Sequence, residues 1–275
     1  MLTITKCQDF FYRFCQFFEE ICKFFITISS KFLQQVYLLM EETILKNFLN
    51  DRLIAHRGVY YNCRENTISA FKEAIKRNYI IELDVRLTKD KKVIVFHDLN
   101  LLRLTGINKN ISTSTYDELN SIINIPTLEE AIKFVKGRVP IIIEIKSINK
   151  KYELEKEVAN ILDKFDYEFA IQSFNILSLR WFKKNNPQYI RGYLVNGIYS
   201  QNKLFNIFIL SKLFKYNIAP YYIGIDIKSL DNNNSKKARK KYNIIGYTIN
   251  NKKEYEKYHN LADNFICNIG KEPFY

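Results

Sequence analysis

Beyond Asp51 the chain alternates between short apolar runs and helical patterns, and few folds accept that rhythm. The strand candidates are RLIAH, IIELDV, KVIVFH, VPIIIEIK, EFAIQSF, YIRGYLV, YYIGID, NIIGYT and NFICNI. Helix patterns separate most of them, at Thr67 to Arg77, Leu128 to Val135, Tyr152 to Phe165, Ile176 to Lys184 and Lys253 to Tyr258. Strands joined by helical crossovers pair in parallel. About eight such units in roughly 220 residues, with no glycine-rich first turn for a dinucleotide, predict a closed (β/α)8 TIM barrel over residues 51–275 rather than an open doubly wound sheet. One strand candidate is left over, and KVIVFH is expected to extend or pair beside IIELDV across the TKDKK turn.

Such a barrel collects its chemistry where strands end on one face. The polar residues comply: His56 and Arg57 close the first run, Glu82 and Asp84 the second, and His97 the VIVF run. Glu144 and Lys146 close PIII, and Gln172 and Ser173 the next. Glu82 and Asp84 are two apart, so on a strand they share a face with Cα atoms roughly 6.6 Å apart, and both reach one ion. Carboxylates buried in an apolar strand are costly without a positive partner, which here is a cation, Arg57 or Lys146. A structural salt-bridge network with those two basic residues is the rival reading.

With 275 residues, 47% of them hydrophobic, the chain can bury a full core. Its formal charge of +13 favours anionic partners. The lysines are scattered through turns and helix faces, so no nucleic-acid partner is expected. Cys7, Cys15, Cys22, Cys63 and Cys267 contain no CxxC pair, which argues against a disulfide framework and suits a reducing cytosol.

Residues 1–50 read differently. Phe10, Phe14, Phe17, Ile21, Phe24 and Ile28 form one apolar stripe at helical spacing, and Val36, Leu39, Ile44 and Phe48 continue it after Ser29 and Ser30. Charged residues interrupt every apolar run, so neither a signal peptide nor a transmembrane helix is expected. Two uses fit an amphipathic helical extension of this kind: packing on the main domain or self-association, and peripheral membrane contact. Polar positions that mix Glu with Lys leave both open.

The motifs AHRG, ENTISAF, ELDV, FHD, IPTLEEA and EIK, taken in order and spacing, resemble the bacterial type of the glycerophosphodiester phosphodiesterase family. Each alone occurs by chance; several in register are specific. The likeness is strong over Leu53 to Lys146 and looser through QSFN, LRWFKKNNP and the closing GYTINNKKEYEKYHNLADNFICN. It implies a TIM barrel with one divalent cation, Mg²⁺ or Ca²⁺, that hydrolyses glycerophosphodiesters to an alcohol and glycerol 3-phosphate. It assigns the metal to Glu82, Asp84 and Glu144, general acid and base work to His56 and His97, and the substrate phosphate to Arg57 and Lys146.

The residue chemistry supports the same division. A phosphodiester is anionic and repels nucleophiles, so a metal and cationic side chains must neutralise it. Three carboxylates suit a hard, oxygen-liking ion better than zinc. The leaving alcohol needs a proton, which a pair of histidines supplies near neutral pH. His259, in the polar YEKYHN stretch, reads as a surface residue. Glu65 and Asn66 read as residues that cap and orient the first helix, with Asn66 or Thr67 at its start. Phe174 and Tyr247 are expected to line the substrate pocket, and Trp181 to pack.

Two departures stand out from the family pattern. Tyr247 stands where the family has a tryptophan before TIN, which keeps an aromatic wall, and Cys267 and Asn268 replace a TD pair and are given no role. The segment from Leu99 to Ile125 is short for a substrate cap, which predicts an open site. Two alternatives remain: a phospholipase D-type barrel acting on intact lipids at a membrane surface, and a barrel that binds an anion without catalysis.

Overall fold

The computed structural model describes residues 43–49, 51–147, 151–195 and 218–270. The chain divides into two compact units, Met1–Leu45 and Lys46–Tyr275. The amphipathic stripe from Phe10 to Ile28 and most of its continuation lie outside the described residues. Among the described residues no helix is long and apolar enough to cross a membrane.

In the larger unit the order begins β1 (Ile54–His56), α1 (Ile68–Lys76), β2 (Ile80–Leu87), β3 (Val93–Val95), α2 (Leu102–Thr105), α3 (Tyr116–Asn120) and α4 (Leu128–Val135). It continues with β4 (Ile141–Ile145), α5 (Glu153–Leu162), β5 (Phe169–Ser173), α6 (Ile176–Asn185), β6 (Ile190–Val195) and β7 (Tyr222–Asp226). The last elements are α7 (Asn233–Ala238), β8 (Asn243–Ile249), α8 (Lys252–Tyr258) and β9 (Asn264–Cys267). All these strands except β3 are parallel, and β1 pairs with both β9 and β2, which closes the TIM barrel. The strands are buried along nearly their whole length, which is why they read as continuous Ile- and Val-rich runs rather than alternating ones.

Helix starts follow local chemistry. Thr67 caps α1 by accepting from the Ala70 N–H, and Thr127 with Glu130 forms a capping box on α4. The one-sided apolar pattern of α1 and α4 buries Phe71, Ala74, Leu128, Ala131, Ile132 and Val135 in the core shared with the strands. Full burial of each large aliphatic side chain contributes about 1.5–3 kcal/mol.

The surplus strand has the expected place. β3 runs antiparallel to β2, pairing Val95 with Val85 and Val93 with Leu87. β1 takes the same edge of β2 lower down, from Ile80 to Glu82, while β4 holds the other edge. β2 therefore overhangs the barrel mouth, and β3 folds back along the overhang until the Phe96 N–H meets the Asp84 carbonyl at 2.9 Å. This return delivers His97. Strand polarity alone does not place it at the mouth, because its strand runs against the other staves. Residues 94–125 then close around a small core of their own, built from Ile94, Phe96, Leu101, Ile111, Leu119 and Ile125.

Candidate active site

Register sets the site. His56 pairs with Glu82 across β1 and β2, Asp84 with Glu144 across β2 and β4, and Glu144 with Gln172 across β4 and β5. Residues in register on parallel neighbours share a face of the pleat, so carboxylates from two strands converge at the mouth. Glu82, Asp84 and Glu144 are all buried, and each offers an oxygen within 4.8 Å of the others.

The sequence-predicted basic residues meet this cluster. β1 ends at His56, and Arg57 turns into the left-handed region at φ 55°, which aims its N–H at Glu82 Oε2, 3.1 Å away. Arg57 Nε lies 3.2 Å from Asp84 Oδ2, and Nη1 donates to Glu65 Oε1 at 2.9 Å. Lys146 Nζ lies 3.2 Å from Asp84 Oδ1 and 2.6 Å from Glu144 Oε1. Phe174 is also adjacent, with Lys146 Nζ 5.9 Å from its ring centroid and Tyr247 packed edge-on against it.

The hydrogen-bond partners of both histidines favour the tautomer protonated at Nδ1. The Asn268 amide is oriented by its own donation to Asn250 Oδ1 at 2.7 Å, so its Oδ1 accepts the Nδ1–H of His56, also at 2.7 Å. Tyr60 donates to the same oxygen at 2.9 Å. His97 Nδ1–H is taken by Asp98 Oδ1 at 2.7 Å. In each ring Nε2 is left as the nitrogen that can exchange a proton.

Burial governs the titration. Burial, with help from the charges of Asp84 and Glu144, pushes Glu82 well above the ordinary carboxylate range. Burial and then Asp84 push Glu144 up to about 7. Asp84 is opposed by the same burial, yet Lys146 and Arg57 hold it well below its usual value. His56 falls to about 4, mainly through burial and then through the Arg57 charge. Burial lowers His97 as well, against the pull of Asp84.

Beside burial, the balance of charge is uneven. Three carboxylates share two cations, and one of those, Arg57, is shared again with Glu65. Asp84 Oδ1 and Glu144 Oε1 are buried and accept no hydrogen bond among the described residues; what each meets is the Lys146 ammonium. The cluster is short of positive charge. An all-oxygen set of three buried carboxylates that share two cationic side chains fits a hard divalent cation.

Several residues named from the sequence take more specific places here, and Asn268 and Arg103 join them. Asn66 does not cap α1; Thr67 does, and Asn66, at φ 55°, donates its amide to Asp84 Oδ2 at 2.9 Å. Glu65 joins Arg57 to Arg103, whose Nε reaches Asp98 Oδ2 at 2.6 Å. Gln172 donates to Glu82 Oε1 at 3.2 Å while accepting from the Tyr222 hydroxyl at 3.0 Å, which locks its amide orientation. Asn268, left without a role, holds His56. Its signal was positional: it directly follows the last apolar run, as the other site residues follow theirs. His259 is exposed and bonds only locally, to the Glu256 carbonyl at 2.9 Å. Trp181 is half-buried against Phe182, as packing requires.

Comparison with known proteins places this arrangement. The profile of the glycerophosphoryl diester phosphodiesterase family matches residues 56–267. A glycerophosphodiester phosphodiesterase of Bacillus altitudinis is 31% identical over 185 residues, spanning 61% of this chain and 76% of its own length. The crystal structure of the Thermotoga maritima glycerophosphodiester phosphodiesterase superposes with a TM-score of 0.66 at 27% identity, covering 79% of this chain and 94% of that one. A phosphodiesterase of Oleispira antarctica, solved with its product sn-glycerol-3-phosphate, shares the fold with a TM-score of 0.68 at 24% identity, over 79% of this chain and 92% of its own.

Proposed function

The chain belongs to the glycerophosphoryl diester phosphodiesterase family, an enzyme family, and on that premise we propose that it hydrolyses glycerophosphodiesters to an alcohol and glycerol 3-phosphate with one divalent cation, Mg²⁺ or Ca²⁺. Glu82, Asp84 and Glu144 would hold the ion. The observation that carries the reading is the convergence of their oxygens within 4.8 Å. When bound, the cation supplies the missing positive charge and stabilises charge developing on the phosphate oxygens.

The chain's own groups do the rest. Arg57 and Lys146 border the carboxylates and are cationic whatever the pH of the assay, so they bind and orient the phosphate. His56 stands in register with Glu82 across β1 and β2, and His97 follows the Phe96 N–H that bonds the Asp84 carbonyl, so the backbone of both histidines adjoins the strand that carries the carboxylates. One imidazole takes a proton at Nε2 from the attacking water as its oxygen bonds to phosphorus. The other, protonated on both nitrogens, gives its Nε2 proton to the alcohol oxygen as the P–O bond breaks. Asn268 and Asp98, by holding the two Nδ1–H groups, keep both Nε2 atoms available for that exchange. Phe174 and Tyr247 supply an aromatic wall next to Lys146 for the glycerol moiety.

The test is release of glycerol 3-phosphate by purified protein with Mg²⁺ or Ca²⁺. Absence of product from glycerophosphocholine, glycerophosphoethanolamine and glycerophosphoglycerol alike would overturn the reading.

A further inference from the structure

A cleft of about 210 Å³ opens beside Lys146, between the β2–β3 overhang, the 99–112 segment and the start of α5. Among the described residues, Arg86, Lys89, Lys91 and Lys146 line it against a single carboxylate, Glu153. The remaining described walls are hydroxyls and aliphatic side chains such as Leu99 and Leu154, with no aromatic ring among those residues.

The charges in this cleft are unequally compensated. Lys146 is paired with Asp84 and Glu144, and Lys91 with Glu153 at 3.5 Å. Arg86 is held by backbone carbonyls, donating from Nε to His97 O at 2.7 Å and from Nη1 to Lys146 O at 3.4 Å. Neither Arg86 nor Lys89 forms an ion pair with a carboxylate among the described residues. The nearby Asp90 is engaged elsewhere, accepting from the Thr88 hydroxyl at 2.6 Å and the Tyr116 N–H at 3.0 Å. Arg86 is thus a half-buried cation of the cleft wall, anchored to the backbone of His97 and Lys146.

We propose that this cleft is the leaving-group subsite and that it selects glycerophosphodiesters whose alcohol carries a negative charge. The proposal rests on the phosphodiesterase reading, because Lys146 serves the phosphate there and also begins the cleft. A phosphate held by Lys146 places the alcohol one bond away, and the cleft is the space lined by that same residue. Four cations facing one carboxylate favour an anionic substituent. A quaternary ammonium finds no aromatic face to stack on.

Glycerophosphoserine and glycerophosphoethanolamine differ only by the serine carboxylate, so the ratio of their kcat/KM values reads the subsite. We expect the ratio to favour the serine diester by at least about tenfold at low ionic strength and to fall towards unity in the Lys89→Gln/Lys91→Gln double variant. Equal rates, or preference for the ethanolamine diester, overturn the subsite and leave the phosphodiesterase reading standing. Titration of O-phosphoserine against phosphoethanolamine by calorimetry probes the same contacts without turnover. Tighter binding of O-phosphoserine, lost in the double variant, supports the subsite even if no diester is cleaved, in which case the catalytic reading alone fails. Equal affinities count against it.

Discussion

Asp98 Oδ1 lies 2.7 Å from Nδ1 of His97, and the other oxygen of the same carboxylate is held by Arg103. Arg103 in turn reaches Glu65, which binds Arg57, so a chain of alternating charges ties the His97 loop to the end of the first strand. Removing Asp98 frees the His97 ring to rotate and to change tautomer. Asp98→Ala is expected to lower kcat by about 10- to 100-fold, the usual cost of losing a partner that orients an imidazole, with KM little changed. Steady-state kinetics check this, and a variant with full kcat would show that the ring needs no such support.

His56→Ala and His97→Ala are each expected to lower turnover by roughly 10² to 10⁴ while leaving metal affinity intact, as for general acid and base groups. Glu82→Gln, in contrast, should weaken the metal, and EDTA should abolish activity. A metal titration of the histidine variants separates the roles: loss of affinity in either one makes that histidine a ligand.

The parts of this site that were legible share a property. Glu82, Asp84, Glu144, His56 and His97 interrupt or close apolar runs, and a polar residue in a buried strand is visible from its neighbours alone. Asn268 and His56 are 212 positions apart, and Tyr222 and Gln172 are 50 apart. Their pairing depends on barrel closure and on register between strands, which local periodicity does not encode. Of the two residues expected at the start of the first helix, Thr67 is the cap, and the left-handed backbone of Asn66 turns its side chain to Asp84 instead.

Gly192 illustrates what register adds. It pairs with Gln172 on one side and Tyr222 on the other, and a Cβ there would stand 2.1 Å from Tyr222 Cζ. The missing side chain lets the fully buried Tyr222 ring pass over β6 and donate to Gln172, which steadies Glu82. Gly192→Ala is therefore expected to destabilise the fold by about 1–3 kcal/mol through overpacking. Tyr222→Phe should cost less, about 0.5–1.5 kcal/mol for the lost hydrogen bond. Urea denaturation compares the two, and an unchanged Gly192→Ala midpoint would mean that the ring has room elsewhere.

Metal binding should also release protons. Burial and the Asp84 charge hold the Glu144 carboxyl at about 7, above its unfolded value, so without metal it keeps its proton below that pH and ionises above it. Burial, with the charges of Asp84 and Glu144, raises Glu82 in the same direction. A divalent cation binds the ionised forms, so its affinity must rise with pH through the window around 7 and fall on acidification. The thermal shift on adding Mg²⁺ or Ca²⁺ should accordingly be larger at pH 8 than at pH 5.5, since stabilisation by a ligand follows its affinity for the folded state. Calorimetry in buffers of different ionisation enthalpy gives the proton count directly. Net proton release at pH 6 is the expected result. Binding without release would mean that the carboxylates are already ionised and that Arg57 and Lys146 suffice to neutralise them.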